Sequence, residues 1–184
     1  MSRDWWKLLY RIVKHRSIVC VFASTSLLSV IRLQAETRLV VNLEEKKVAL
    51  ISDGQLVKVY SVAIGKSSTP SPFGSFTVVS RMKQPTWYRP GKVVPPGKNN
   101  PLGTRWIGLS KSGYGIHGTN APQSIGKAAS HGCIRMRNAD VEELFEHVSV
   151  GDVVELRQGG DPELARWFGT DEKQEPKALI ASGQ

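Results

Sequence analysis

Gly115-Ile116-His117-Gly118-Thr119-Asn120-Ala121-Pro122-Gln123-Ser124-Ile125-Gly126-Lys127-Ala128-Ala129-Ser130-His131-Gly132-Cys133-Ile134-Arg135-Met136-Arg137 places two histidines, a cysteine and an arginine within one short stretch. A cysteine becomes a nucleophile only where a base or a positive field draws off its proton. His117 and His131 are the histidines near Cys133. Residues 131 and 133 would face the same way on an extended strand, although a glycine turn between them leaves that geometry open. Gly118 and Gly132 permit close backbone approach and unusual dihedrals, which suits a turn whose main-chain N–H groups bind an oxyanion. Arg135, two residues beyond Cys133, is a candidate to face the same pocket and hold a carboxylate. The blander alternative for a lone cysteine is a small buried hydrophobe.

Outward from this stretch the pattern is mainly β. Arg38–Asn42, Val48–Ser52 and Val57–Ile64 are β-branched runs separated by turn residues, and they read as a three-stranded antiparallel meander. Gly65–Gly74 is a loop rich in Ser, Pro and Gly, after which Ser75–Arg81 resumes strand character. Pro85–Gly103 holds five prolines and three glycines and reads as an ordered loop, a lid or rim in which Trp87 and Tyr88 either contact a ligand or, the favoured reading, anchor the loop. Thr104–Leu109 and Tyr114–Ile116 are short strands leading to His117. Asn138 reads as a helix cap, with Val141, Leu144, Phe145 and Val148 on one face of the helix that follows. Asp152–Leu156 closes the strands. A single domain, residues 36–157, is expected, with a tail at 158–184: a terminal helix over Asp161–Phe168, then a polar, partly disordered end. Trp106 and Trp167 read as packing residues, and His147 as an exposed helix residue.

The 184 residues carry 25 Lys/Arg and 16 Asp/Glu, a net charge of +9. The excess is uneven. Residues 1–35 hold six Lys/Arg against Asp4, and residues 54–139 hold twelve Lys/Arg with no acid. A basic, acid-free segment suits an anionic ligand. Nucleic acid is disfavoured, because no stacking platform or recognition motif accompanies the charge. Arg3, Lys7, Arg11, Lys14 and Arg16 precede an apolar run over Ser17–Ile31 that is shorter than the roughly 18 residues of a confident membrane span. Residues 1–35 are therefore expected to be a signal peptide or short N-terminal anchor, with the remainder exported to the cell envelope. In that setting Cys133 has no internal disulfide partner, since Cys20 belongs to the leader. The missing acids bear on chemistry too: a histidine base in this segment would be oriented by a backbone carbonyl or a hydroxyl.

The ordered set His117-Gly118-Thr119, then Ser130-His131-Gly132-Cys133-Ile134-Arg135, resembles the signature of the YkuD-like L,D-transpeptidase catalytic domain. Ile64-Gly65, Thr69-Pro70-Ser71-Pro72-Phe73-Gly74-Ser75-Phe76 and Asn100-Pro101-Leu102-Gly103 add to the likeness, which spans Arg38 to Leu156. Ser71-Pro72-Phe73 lengthens one spacing, and Arg135 is the less common choice at its position. The resemblance implies a β-sandwich with one or two short helices. It implies Cys133 as nucleophile and His117 as general base, with Ser130, His131, Gly132 and Gly118 shaping the turn and its oxyanion donors. Arg135 would serve substrate binding. The implied substrate is a peptidoglycan stem tetrapeptide, cleaved with loss of D-alanine to a thioester and passed to a neighbouring stem as a 3→3 cross-link. An L,D-carboxypeptidase results if water is the acceptor. No cofactor and no metal are implied; membrane contact is confined to an uncleaved leader, and the oligomeric state is left open. Three rivals stand beside it: zinc held by His117, His131 and Cys133, a non-catalytic wall-binding module, and a cysteine peptidase of another fold.

Overall fold

Every second residue of Thr37–Asn42 (β1) and Lys47–Ser52 (β2) points to the opposite face of a sheet, yet their central residues on both faces are buried. Two separate clusters explain this. Leu39, Val41, Val48 and Leu50 face the main core, whereas Val40, Ala49 and Ile51 pack with Leu164, Trp167 and Phe168. The computed structural model describes residues 36–159 and 161–169. The expected leader and most of the expected polar end lie outside the described residues.

Gln55–Ser61 (β3) pairs antiparallel with β2, completing the meander. After Ile64–Gly65 (β4) comes the long strand Gly74–Lys83 (β5), then Trp87–Arg89 (β6), Lys92–Val94 (β7), Arg105–Leu109 (β8) and Gly115–His117 (β9). A 3-10 turn at Pro122–Ser124 precedes Ala128–Ser130 (β10) and Ile134–Arg135 (β11). The helix Asn138–His147 (α1), the strand Val153–Arg157 (β12) and the helix Pro162–Phe168 (α2) follow. Eight strands form one sheet in the order β11-β9-β8-β5-β12-β1-β2-β3, with β12 parallel to β1 and antiparallel to β5.

Strand β5 joins the two halves. Gly74–Thr77 pairs with β12 and Val78–Lys83 with β8, and the register shifts between Val78 and Ser80. Such an irregularity bends a strand and raises its twist. The sheet curls so that Leu39 and Leu50 of one half share a core with Ile107 and Ile116 of the other. Val141, Leu144 and Phe145 of α1 seal that core, as their helical spacing predicts. The mainly β sandwich with short helices is thus the observed architecture.

Three local expectations change. Pro85–Gly103 is not irregular throughout: β6 and β7 form a small antiparallel hairpin. Asn138 does not cap α1; Arg137 occupies that position without a side-chain bond, and the Asn138 Oδ1 accepts the Thr119 N–H at 3.0 Å instead. Helix α2 is present as expected, but it packs on the outer face of β1 and β2. The body that the sequence reading closes near Arg157 continues in packing terms through this helix. Arg157 fastens it, pairing with Asp161 at 2.6 Å, Glu155 at 2.6 Å and Glu163 at 2.8 Å.

Candidate active site

Strand β9 delivers His117 to the floor of a cleft. Its backbone lies in register with Trp106 on β8 and with Arg135 on β11. The imidazole is 4% exposed, and its Nδ1 is 2.6 Å from the Gly118 carbonyl oxygen. An acceptor at that distance requires Nδ1 to carry the proton, so Nε2 keeps its lone pair. The partner is a carbonyl, one of the two kinds of group that the acid-free segment leaves for this place. Gly118 is held in turn: its N–H donates to the Arg105 carbonyl at 3.1 Å, and Asn138 Oδ1 packs where a side chain at 118 would begin.

Cys133 sits in the turn between β10 and β11. The buried Ser130 hydroxyl donates to the Cys133 carbonyl at 2.5 Å and accepts the Gly132 N–H at 3.0 Å. Gly132 has φ +113, and a Cβ there would lie 2.7 Å from the Tyr114 ring, so conformation and space both demand glycine. The Ser130 carbonyl accepts the Lys66 N–H at 3.1 Å and the Thr69 hydroxyl at 3.3 Å. The Thr69-Pro70-Ser71 loop therefore braces the turn from behind. Because Gly132 gives its N–H to Ser130, the Cys133 N–H is the one of the two that makes no hydrogen bond within the protein among the described residues.

One cavity of about 540 Å³ brings His117, Ser130, His131, Cys133 and Arg135 together, with Trp87, Tyr88 and Arg89 of the hairpin as its far wall. An adjoining cavity of about 510 Å³ shares Cys133, Trp87 and Tyr88 and adds Met82, Lys83 and Trp106. His131 is exposed at the rim. Arg135 is half-buried, and its Nε has no partner. Gly132 and Gly118 are buried beneath these side chains and shape the backbone.

Burial pulls the His117 pKa down to about 4; the Gly118 carbonyl opposes this and the Arg135 charge adds to it. Burial pushes the Cys133 thiol upward, against a backbone hydrogen bond at Gly115 and the Arg135 charge. Near neutral pH the pair therefore rests as thiol and neutral imidazole. The Cys133 Sγ lies 3.6 Å from the Gly113 carbonyl, a contact a thiol can make as donor and a thiolate cannot.

Two residues, Trp106 and Asn100, go beyond the sequence reading, and two others, Trp87 and Tyr88, take the less favoured of the two readings open to them. Trp106, read as packing, stacks on His117 with ring centroids 5.8 Å apart and lines the cleft beside Cys133. Trp87 and the exposed Tyr88, read as anchors, are cleft wall; the buried Asn100 does the anchoring. Its Nδ2 donates to the carbonyls of Pro85 (2.7 Å), Val94 (3.1 Å) and Pro95 (3.1 Å). An alternating pattern over Arg105–Leu109 paired to β9 is the one sequence signal that bears on Trp106. Among the described residues no three His, Cys, Asp or Glu side chains are grouped closely enough to hold a metal ion.

Comparison with known proteins follows the same lines. The family model described as the L,D-transpeptidase catalytic domain matches residues 36–156. YqjB of Bacillus subtilis (strain 168), which bears the L,D-transpeptidase name, is 41% identical over 124 residues, covering 65% of this chain and 70% of that protein. ErfK/SrfK of Salmonella typhimurium, similarly named, is 34% identical over 155 residues, or 73% of this chain and 50% of its own length. Among such curated relatives the chain spans between 43% and 70% of their own length. Among solved structures, a variant of the Enterococcus faecium L,D-transpeptidase superposes with a TM-score of 0.57 at 25% identity, covering 66% of this chain and 50% of that one. The L,D-transpeptidase from Mycobacterium smegmatis gives 0.57 at 22% identity over 67% and 59%, a likeness of fold.

Proposed function

We propose, from the premise that this chain belongs to the L,D-transpeptidase catalytic-domain family, that it forms 3→3 peptidoglycan cross-links through an acyl-enzyme on Cys133. The observation that carries the reading is the fixed tautomer of His117, whose Nδ1–H is tied to the Gly118 carbonyl while Nε2 is left as a base in the cavity that holds Cys133.

The chemistry runs in two halves. Cys133 Sγ attacks the carbonyl of the diamino acid at stem position 3, and its proton passes to His117 Nε2. The tetrahedral oxyanion faces the free Cys133 N–H. The carbon–nitrogen bond to D-alanine breaks, His117 returns the proton to the departing amine, and a thioester remains. A side-chain amine of a second stem then attacks the thioester and gives its proton to His117, and the proton returns to sulfur as the new amide forms. No nucleotide is consumed, because the thioester carries the energy of the broken peptide bond. A neutral resting pair suits this order, since the proton moves with the attack rather than before it.

Arg135 and Arg89 line the cavity and supply positive charge for stem-peptide carboxylates. This substrate is extracellular, so the reading carries with it export to the envelope. His131 and Ser130 serve the turn rather than the proton transfer.

The test is mass spectrometry of the protein incubated with purified tetrapeptide muropeptides, with Cys133→Ala in parallel. Cysteine-dependent dimers lacking one D-alanine are expected. Tripeptide monomers in their place would make the protein an L,D-carboxypeptidase, and equal products from Cys133→Ala would overturn the mechanism.

A further inference from the structure

We infer that Trp106 is a positioning residue for the reaction: its indole covers one face of the His117 imidazole and fixes the plane in which Nε2 meets Cys133. The inference rests on the proposed reading of His117 as the base.

Trp106 and His117 are directly paired across β8 and β9, so their side chains share a face of the sheet. The rings lie 5.8 Å apart with an angle of 24° between their planes, an offset stack. The neighbouring backbone is cleared to admit the indole. A Cβ on Gly115 would stand 2.6 Å from Trp106 Cη2, and one on Gly108 would stand 2.9 Å from Nε1. The two glycines thus leave a slot that the indole fills. The far side of Trp106 lines the cavity that also reaches Cys133. An edge bond from Nδ1 to Gly118 fixes the tautomer but allows the ring to swing about that bond; a flat neighbour on the face removes the swing.

The charged and titratable groups around the imidazole are few. Arg135 comes from β11, and Cys133 and His131 from the turn before it, with Arg89 across the cavity. From β8, Arg105 is turned toward Glu142 of α1, 3.9 Å away. None of these covers the ring as Trp106 does, so removing the indole admits water and lets the imidazole protonate more easily.

The experiment compares Trp106→Phe, which keeps a flat face, with Trp106→Met, which keeps bulk without one; Trp106→Leu replaces the latter if the methionine protein does not fold. Trp106→Phe is expected to hold kcat within a few-fold. Trp106→Met is expected to lower kcat by roughly 10- to 100-fold with little change in KM, and to move the His117 imidazole pKa, followed by NMR, upward from about 4 toward its ordinary value. Equal behaviour of Phe and Met proteins, or an unmoved His117 titration in a folded Met protein, overturns the inference. In wild type, upfield ring-current shifts of the His117 ring protons are expected, and their absence overturns it without any variant. The NMR measurements need no turnover, so failure of the cross-linking assay, which would count against the proposed function, is distinguishable from failure here.

Discussion

The Ser130 hydroxyl donates to the Cys133 carbonyl at 2.5 Å, and the hydroxyl oxygen accepts the Gly132 N–H. A single buried side chain therefore closes the turn on which the sulfur is carried. Removing it leaves a buried carbonyl and a buried N–H without partners, a cost of about 1–3 kcal/mol. Ser130→Ala is expected to lose that much stability, seen as a lower thermal midpoint, and to slow single-turnover acylation more than ten-fold, as the turn loses its shape. Ser130→Thr keeps the hydroxyl and is expected to recover acylation beyond the alanine protein. Calorimetry and burst kinetics read the two effects separately.

His117 makes stability depend on pH in a defined window. The unfolded imidazole binds a proton near pH 6.5, whereas the folded one does so only near 4. Between these values the unfolded chain holds more protons, so stability falls as pH drops through the window and is fully present above it. The full shift corresponds to about 3 kcal/mol. Urea unfolding of wild type and His117→Gln from neutral to acidic pH is expected to show this slope in wild type alone. The Asp161 contribution is present through this window and is lost only at lower pH, because the Arg157 side chain holds its carboxyl under the usual range.

Cys133 is expected to behave as a protected thiol. Burial raises its pKa, and the neutral His117 offers no imidazolium to hold a thiolate. Alkylation by iodoacetamide should be slow near neutrality and rise with hydroxide through the alkaline range. A plateau of fast alkylation between about pH 5 and 7 would reveal a preformed thiolate–imidazolium pair instead.

The candidate site is legible because it is local. His117, Ser130, Gly132, Cys133 and Arg135 lie in one stretch, and the lack of acids there points to a carbonyl or hydroxyl partner for the histidine. What escaped depends on register and on competition between equivalent local signals. Trp106 joins the site through the β8–β9 pairing, and an isolated tryptophan in a strand carries no mark that separates core from cleft. Asn138 has the right side chain for a helix cap, yet the nearby Thr119 N–H takes the same oxygen. The three-residue strands of β6 and β7 are too short for alternation to register beside five prolines. For β1 and β2, an apolar run reads equally as one buried face with gaps or as two covered faces. Only the docking of α2 decides between them.

That docking supports a final prediction. Leu164, Trp167 and Phe168 are almost fully buried against Val40, Ala49 and Ile51, and the ion pairs of Arg157 and Arg38 with Asp161 and Glu163 hold the N-terminal end of the helix. Partly exposed ion pairs contribute little individually, so the apolar contact dominates. Trp167→Ala is expected to cost about 3–5 kcal/mol, as large-to-small changes in cores do. Arg157→Ala should cost less, since its pairs are open to solvent on one side. Ending the chain after Arg157 would expose the outer face of β1 and β2, giving a protein with a lower thermal midpoint and stronger dye binding to apolar surface than one ending after Gly169. The active-site cavity is lined by other elements, so Cys133 acylation measured well below the lowered midpoint should be retained. Loss of acylation in step with α2, with the sheet still folded by circular dichroism, would instead show that the helix supports the site through β1 and β12.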